Sequence, residues 1–195
     1  MTLQDVANYI RSILDEPSQT ILTDNDFLYY ARQSLWKVYD LITQTGFPYY
    51  LTKTEISVSK GTNEYSLPSD FGKIDDVIFE DYHLVQANQY TTMEGTPEYY
   101  VVTENSILLF PIPDEDGTLT VYYHKKPTPP AQLSDTINIP ELAERLFILD
   151  MLIQCATKGG YDTSPWLQQY LIEERNFKGQ LMRDGSLIRV QKRGF

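Results

Sequence analysis

The sequence predicts an α+β protein: a four-helix-bundle-like α-helical domain, a β-rich insertion lobe and an extended C-terminal tail. Three observations lead there. A long apolar stretch at helical spacing runs from Ile139 to Gly160. The chain on either side of the middle shows the 3.6-residue period of amphipathic helices. Between Thr52 and His124 the period changes to the two-residue alternation of strands. The expected division is residues 1–50 and 139–185 for the helical bundle, 51–138 for the β-rich insertion with its proline connector, and 186–195 for the tail.

Thr2 and Asp5 form a capping-box pattern, and Leu3, Val6, Ile10, Ile13 and Leu14 then share one face of a first helix that Pro17 closes. Thr23 caps a second helix with Asp24 and Asp26 in its first turn and Phe27, Ala31, Leu35, Val38 and Ile42 on one face, stopped by Gly46 and Pro48. Thr52 to Val58 and Tyr65 to Leu67 alternate around Lys60-Gly61-Thr62-Asn63 and read as a hairpin. Lys73 to Phe79 is a third strand, interrupted by Asp75-Asp76. Asp81 to Thr96 has no period and reads as a surface loop with a helical turn near Val85. Tyr99 to Thr103 and Ile107 to Phe110 make a second hairpin, and Thr118 to His124 a further strand. Lys125 to Ser134, with three prolines, is an extended connector. Pro140 opens the apolar helix at its first position, with Glu141 and Glu144 at the positive end of the dipole and Lys158-Gly159 at the other end. Leu142, Leu146, Leu149, Ile153 and Ala156 recur on one face, and Phe147, Met151 and Leu152 widen it, so this helix needs neighbours on two sides. Ser164-Pro165 starts a last helix carrying Trp166, Tyr170, Phe177 and Leu181, which Asp184-Gly185 ends.

A chain of 195 residues suffices for one sizeable core, and no apolar run approaches the roughly 20 residues that span a bilayer. Met1 to Leu14 lacks a basic start and a continuous apolar centre, so it does not read as a signal peptide; a protein made and kept in the cytoplasm, or in a particle assembled there, is expected. The one cysteine, Cys155, excludes an internal disulfide and a thiolate metal cluster, and its place in the apolar helix marks it as a packed, inert thiol. A net charge of −11 argues against a sequence-independent grip on nucleic acid, which needs many cations facing phosphates. That charge is unevenly placed. From Arg175 onward six basic residues face one acid, Asp184, a net of +5 that leaves −16 on the rest of the chain.

The search for chemistry is negative. His83 and His124 have no metal-ligand spacing, and phosphate-binding glycine loops, nucleophile elbows and zinc helices are absent. Asp114-Glu115-Asp116-Gly117 fails as a calcium loop because Ile112 and Tyr123 would fall at ligand positions, so it reads as a polar turn. Asp75-Asp76 and Glu80-Asp81 read as solvated surface. No catalytic residue, cofactor or metal is expected. The 15 tyrosines, several in adjacent pairs, suit interfaces as well as cores.

Two helices, then Tyr65-Ser66-Leu67-Pro68-Ser69-Asp70-Phe71, then Gly95-Thr96-Pro97-Glu98-Tyr99-Tyr100 before a hairpin, resemble the head-to-tail adaptor proteins of tailed bacteriophages. Leu109-Phe110-Pro111, and Leu119 to Pro127 followed by Ile139 to Lys158, resemble that family's last strands and penultimate helix. The resemblance covers nearly the whole chain and rests on turn and core residues. It implies a structural virion protein at the head-tail junction: a homo-oligomeric ring, usually of twelve copies, beneath the portal protein. Such a ring extends the DNA channel, passes DNA at ejection without binding it specifically, docks tail or nozzle proteins and touches no membrane. In the family the C-terminal segment reaches toward the portal, and Leu187, Ile188, Arg189, Val190, Lys192, Arg193 and Phe195 occupy that place here. An acidic channel wall repels phosphate and lets DNA slide. Two other readings stand beside this one: another neck or tail interaction protein of the virion, and a cell-wall (peptidoglycan) hydrolase, which would need convergent acids that the sequence does not display.

Overall fold

The computed structural model describes residues 1–16, 21–88 and 90–192, with side chains as far as residue 183. Among the described residues the protein is mixed α+β, with four α-helices, a 3-10 turn at Pro48–Tyr50 and several small sheets. It divides into two compact units, Met1–Tyr49 with Pro127–Phe195, and Tyr50–Lys126.

The first unit holds α1 (Leu3–Ile13), α2 (Asp24–Thr45), α3 (Glu141–Gly159) and α4 (Ser164–Lys192). Both early helices begin in capping boxes, where the sequence predicts a box at Thr2 and a simple N-cap at Thr23. The Thr2 hydroxyl accepts from the Asp5 N–H while the Asp5 carboxylate accepts from the Thr2 N–H, and Thr23 and Asp26 repeat the exchange. Two more free amides of α1, on Leu3 and Gln4, donate to the carbonyls of Asp135 and Leu133. This is why the proline connector belongs with the helices, although the sequence reading groups it with the insertion. The link from α1 to α2 is built on buried charge: Arg11 donates to the Leu22 carbonyl and to Asp24 and covers the Phe27 ring, and Glu16 accepts from the Leu22 N–H at 3.0 Å.

Pro140 stands one place earlier than expected, as the extended residue before α3, with the Ala143 N–H closing onto its carbonyl. Gly160 ends α3 in the left-handed conformation, φ 74°, which a Cβ would disfavour, and the Tyr161 N–H reaches back to the Ala156 carbonyl. Asp184-Gly185 does not end α4, which continues to Lys192. An interior glycine costs a helix only about 0.5–1 kcal/mol relative to alanine. The helix-forming residues on both sides outweigh that, so the expected extended tail is helical through residue 192.

α3 packs against α1, α2 and α4. Its Ala143, Leu146, Phe147, Met151, Leu152 and Cys155 are buried, facing in more than one direction, while Leu142 and Ile153, expected in the core, are half-buried. Leu3, Val6 and Ile10 of α1, Phe27, Ala31, Leu35, Val38 and Ile42 of α2, and Phe177 and Leu181 of α4 complete the core.

The second unit contains β1 (Leu51–Val58), β2 (Glu64–Ser66), β3 (Phe71–Phe79), β4 (Tyr82–His83), β5 (Val85–Gln86), β6 (Glu94–Gly95), β7 (Tyr99–Val102), β8 (Ser106–Phe110), β9 (Ile112–Pro113) and β10 (Gly117–Lys125). One sheet has the order β1-β10-β3-β4, a second β2-β8-β7-β5, and β6 pairs with β9. Val77, Phe79, Leu119 and Val121 of the first sheet and Tyr65, Tyr100, Ile107 and Leu109 of the second share one core. The expected first hairpin does not form. β1 runs antiparallel to β10 from Leu51 opposite His124 to Val58 opposite Gly117, and β2 pairs with β8. Three residues of β2 cannot satisfy the backbone of an eight-residue strand, whereas β10 can. The turn between β1 and β2 is instead held by the Gly61 N–H on the Pro113 carbonyl, the Lys60 N–H on Asp116, and the Tyr65 hydroxyl, which donates to the Thr62 carbonyl at 2.6 Å. The β7–β8 hairpin forms as expected. Asp75-Asp76 does not break β3. The register slips there, Ile74 facing Tyr123 and Asp76 facing Tyr122, so Asp75 is the extra residue of a bulge. The segment after Asp81 contributes the short strands β4, β5 and β6 and no helical turn.

Replacing Leu149, buried in α3, with alanine is expected to lower stability by about 2–5 kcal/mol, read from denaturant unfolding of the full chain. Acid should act through the capping boxes. The bond from the Thr2 hydroxyl, then the Thr2 N–H, holds the Asp5 carboxyl below its ordinary range. Desolvation raises Asp26, but bonds from Lys158 and Thr23 outweigh it and leave this carboxyl lowered too. A carboxyl lowered in the folded state adds stability above its unfolded pKa and loses it as pH falls through the folded value. The melting temperature should therefore be level near neutral pH and fall below about pH 4, less steeply in Asp26→Asn.

Candidate functional site

The groups that suggested chemistry are dispersed and engaged in structure. His83 lies on β4 with its Nδ1 3.2 Å from Asp76 Oδ1, and exposed. His124 is buried in β10, with Nε2 3.9 Å from Asp75 Oδ1. Glu80 accepts the Thr118 N–H at 2.6 Å across the start of β10, and Asp116 holds the β1–β2 turn. Among the described residues no group of three or more His, Cys, Asp or Glu side chains is placed to hold a metal ion. Cys155 is buried, and burial pushes its thiol up to about 12, which leaves it protonated and unreactive at neutral pH.

One polar cluster was not read from the sequence. Asp150, in the middle of the apolar helix α3, is buried and accepts from the Ser34 hydroxyl at 2.6 Å, the Lys37 ammonium at 2.6 Å and the Gln154 amide at 2.7 Å. Gln154 also donates to Ser34 at 3.1 Å. Every short contact is a donor meeting this carboxylate or its neighbour, so the cluster joins α2 to α3 and offers no free nucleophile. A pattern signal existed: a lone acid among large apolar residues needs donors on the facing helix.

What the helical unit does present to solvent is apolar. A groove of about 600 Å³ runs between α1, α3 and α4, lined by Tyr9 and Ile13, by Ile148, Leu149 and Leu152, and by Trp166. Glu141, Glu144 and Arg145 line it too, and Arg145 Nε meets Glu173 Oε1 at 3.2 Å. Ile13, counted from its spacing as core, is 36% exposed because α1 ends there and Leu14 turns in instead. On the outer side of α4, Leu167, Leu171 and Met182 are exposed, Leu171 by 53% and Met182 by 62%. Arg175, Lys178 and Gly179 lie among them, and Lys178 pairs with Glu174 one turn back.

The tyrosine pairs of β7 and β10 divide their rings as strand alternation requires, and the pair in the 3-10 turn is divided as well. Tyr50, Tyr100 and Tyr123 are buried, while Tyr49 is exposed and Tyr99 and Tyr122 are half-buried. Of the residues assigned to the C-terminal tail, Leu187, Ile188, Arg189, Val190 and Lys192 belong to the last turns of α4, and Arg193 and Phe195 lie outside the described residues. Among the described residues no helix is long and apolar enough to cross a membrane.

The buried cluster gives a graded expectation. Ser34→Ala takes a fully buried donor from an ionised acceptor and should cost about 1.5–3 kcal/mol. Lys37→Ala should cost less than about 1 kcal/mol, because the lysine is half exposed and water can replace it. Urea unfolding of the two variants side by side checks the order.

Compared with known families, the chain matches the model described as SU10 adaptor protein over residues 1–191. No curated protein matches it.

Proposed function

The chain belongs to the SU10 adaptor protein family, a family of phage head-to-tail adaptors, and from that premise we propose that it forms a ring beneath the portal of the capsid. The ring extends the DNA channel and offers a docking surface to tail or nozzle proteins. The family is a structural one and not an enzyme class, and membership makes the chain a virion component. The observation that carries the reading is the extent of the match, residues 1–191, which leaves no room for a catalytic domain of other origin within that span. Composition supports the rest. A body of strongly negative net charge repels phosphate along a channel, and the cations concentrate at the C-terminal end, where contact with an acidic partner surface is needed.

In this reading the C-terminal segment binds the portal. Arg189, Lys192 and Arg193 pair with carboxylates there and speed encounter, while Leu187, Ile188, Val190 and Phe195 fill apolar pockets and slow release. Because a net charge of −11 per copy opposes self-association, the isolated chain is a monomer or weakly associated and closes into a ring mainly on the portal.

Deleting residues 186–195 should leave the melting temperature of the body within about 2 °C of the intact chain, since the buried core side chains among the described residues run only as far as Leu181. The same deletion should weaken portal binding more than tenfold. Replacing only Arg189, Lys192 and Arg193 by alanine should weaken it less and flatten its salt dependence. Undiminished portal binding by the deletion variant, measured by interferometry, would place the docking surface on the helical body.

A further inference from the structure

We propose that the groove between α1, α3 and α4 of one copy receives the outer ridge of α4 of the next copy, so that subunits join head to tail. The proposal rests on the ring-forming reading above and names the two surfaces that make the joint.

Residues 167, 171, 175, 178 and 182 follow one another at steps of three or four along α4 and so form one ridge, apolar at Leu167, Leu171 and Met182 and basic at Arg175 and Lys178. The groove is its counterpart. It is lined by Tyr9, Ile13, Ile148 and Trp166 together with the acids Glu141 and Glu144, while the one cation there, Arg145, is paired with Glu173. Along α3 the groove extends from residue 141 to 152, about 17 Å, and the ridge from 167 to 182 is about 22 Å, so the two are of similar length. Gly179 lies beside the ridge, and a Cβ built there would meet nothing within 4 Å. Among the described residues no packing calls for a glycine at that interior helical position, whereas a flat spot lets a second backbone approach closely.

The two surfaces lie on different flanks of the same helix. Gln169, which lines the groove, and Leu171 on the ridge are two residues apart and so about 200° apart around α4. On the ridge's side, Tyr170 and Glu174 adjoin Lys37, Asp40 and Leu41 of α2, away from α1. One patch pairing with itself would leave the other surface unused. Ridge into groove uses both, and a contact between two different patches repeats until it closes. A copy cannot fill its own groove with its own C-terminal end, because α4 carries residue 192 about 39 Å along the helix axis from residue 166.

The test uses the full chain and the portal protein of the same phage. A ridge variant, Leu171→Glu with Met182→Glu, and a groove variant, Ile13→Glu with Ile148→Glu, change exposed or half-buried positions, and circular dichroism checks that both fold. Arg175→Glu serves as a third variant on an exposed side chain. Each is expected to bind portal as single copies and to weaken self-association at least tenfold, seen by sedimentation at high salt and by electron microscopy on the portal. Mixing the ridge and groove variants should give pairs that stop at two, since each pair retains one intact ridge and one intact groove. If the variants form rings as the unaltered chain does, or the mixture fails to pair, the ridge and groove are not the joint and the ring reading stands. If deleting residues 186–195 abolishes self-association of the unaltered body, the tail of a neighbour and not the ridge fills the groove, which overturns the proposal. If the unaltered chain forms no ring on portal, the ring reading itself fails.

Discussion

A buried carboxylate determines how the helices of this protein lie against one another. Asp150 sits within an otherwise apolar stretch of α3, and a charge out of water costs several kcal/mol unless donors surround it. Ser34 and Lys37 on α2 and Gln154 on α3 supply those donors at 2.6–2.7 Å. Sliding α2 by one turn against α3 would carry Ser34 and Lys37 about 5 Å away and strand the charge. Apolar packing alone would not select one arrangement so sharply, because α3 is buried in more than one direction and its leucines could meet several partner faces. With that pair set, α1 and α4 take the remaining faces. Between them lies the groove lined by Tyr9 and Ile13 of α1, Ile148 of α3 and Trp166 of α4.

Local features were legible in the sequence because their causes are local. Each capping box is a single exchange of hydrogen bonds over four residues; the one at Thr2-Asp5 stands where it was read, and the cap read at Thr23 is completed by Asp26. Helix faces followed the same rule, with Phe27, Ala31, Leu35, Val38 and Ile42 all buried. The longer strands were also recognisable by alternation, and β7 and β8 pair as read, but the partners of β1 and β2 were not legible. β1 and β2 are neighbours in sequence and belong to different sheets, since ladder length decides the pairing and β10 is the strand long enough for β1. Asp75-Asp76 looked like an interruption because alternation has no symbol for a bulge, in which one extra residue is turned out and the ladder resumes.

Two charges that carried no sequence signal are buried. Arg11 and Glu16 bind backbone groups that the link between α1 and α2 would otherwise leave unsatisfied. Ile13 is the reverse case, an apolar residue at core spacing that comes out at the groove because its helix stops beneath it. Asp184-Gly185 carried a stop signal too weak to act, for a left-handed C-cap needs the chain to turn and nothing here requires it. The groove and the ridge could not be seen from one helix at a time. Each is what remains after three helices have covered what they can.

The distribution of charge then sets how strong a joint between copies has to be. Copies of net charge −11 repel, and the repulsion acts over about 8 Å at physiological salt, so it opposes approach without reaching far beyond contact. In the proposed joint an apolar ridge in an apolar groove acts only at contact, where Glu141 and Glu144 meet Arg175. Association of this kind is weak at a distance and firm once seated, which suits a subunit that must remain single until a partner gathers copies side by side. In the proposed function the basic C-terminal end serves the gathering step, because it has the sign to be drawn toward an acidic surface. Placing attraction at one end of α4 and seating along its flank makes a single helix responsible for both steps. The length of α4, 29 residues, is what keeps the two from interfering.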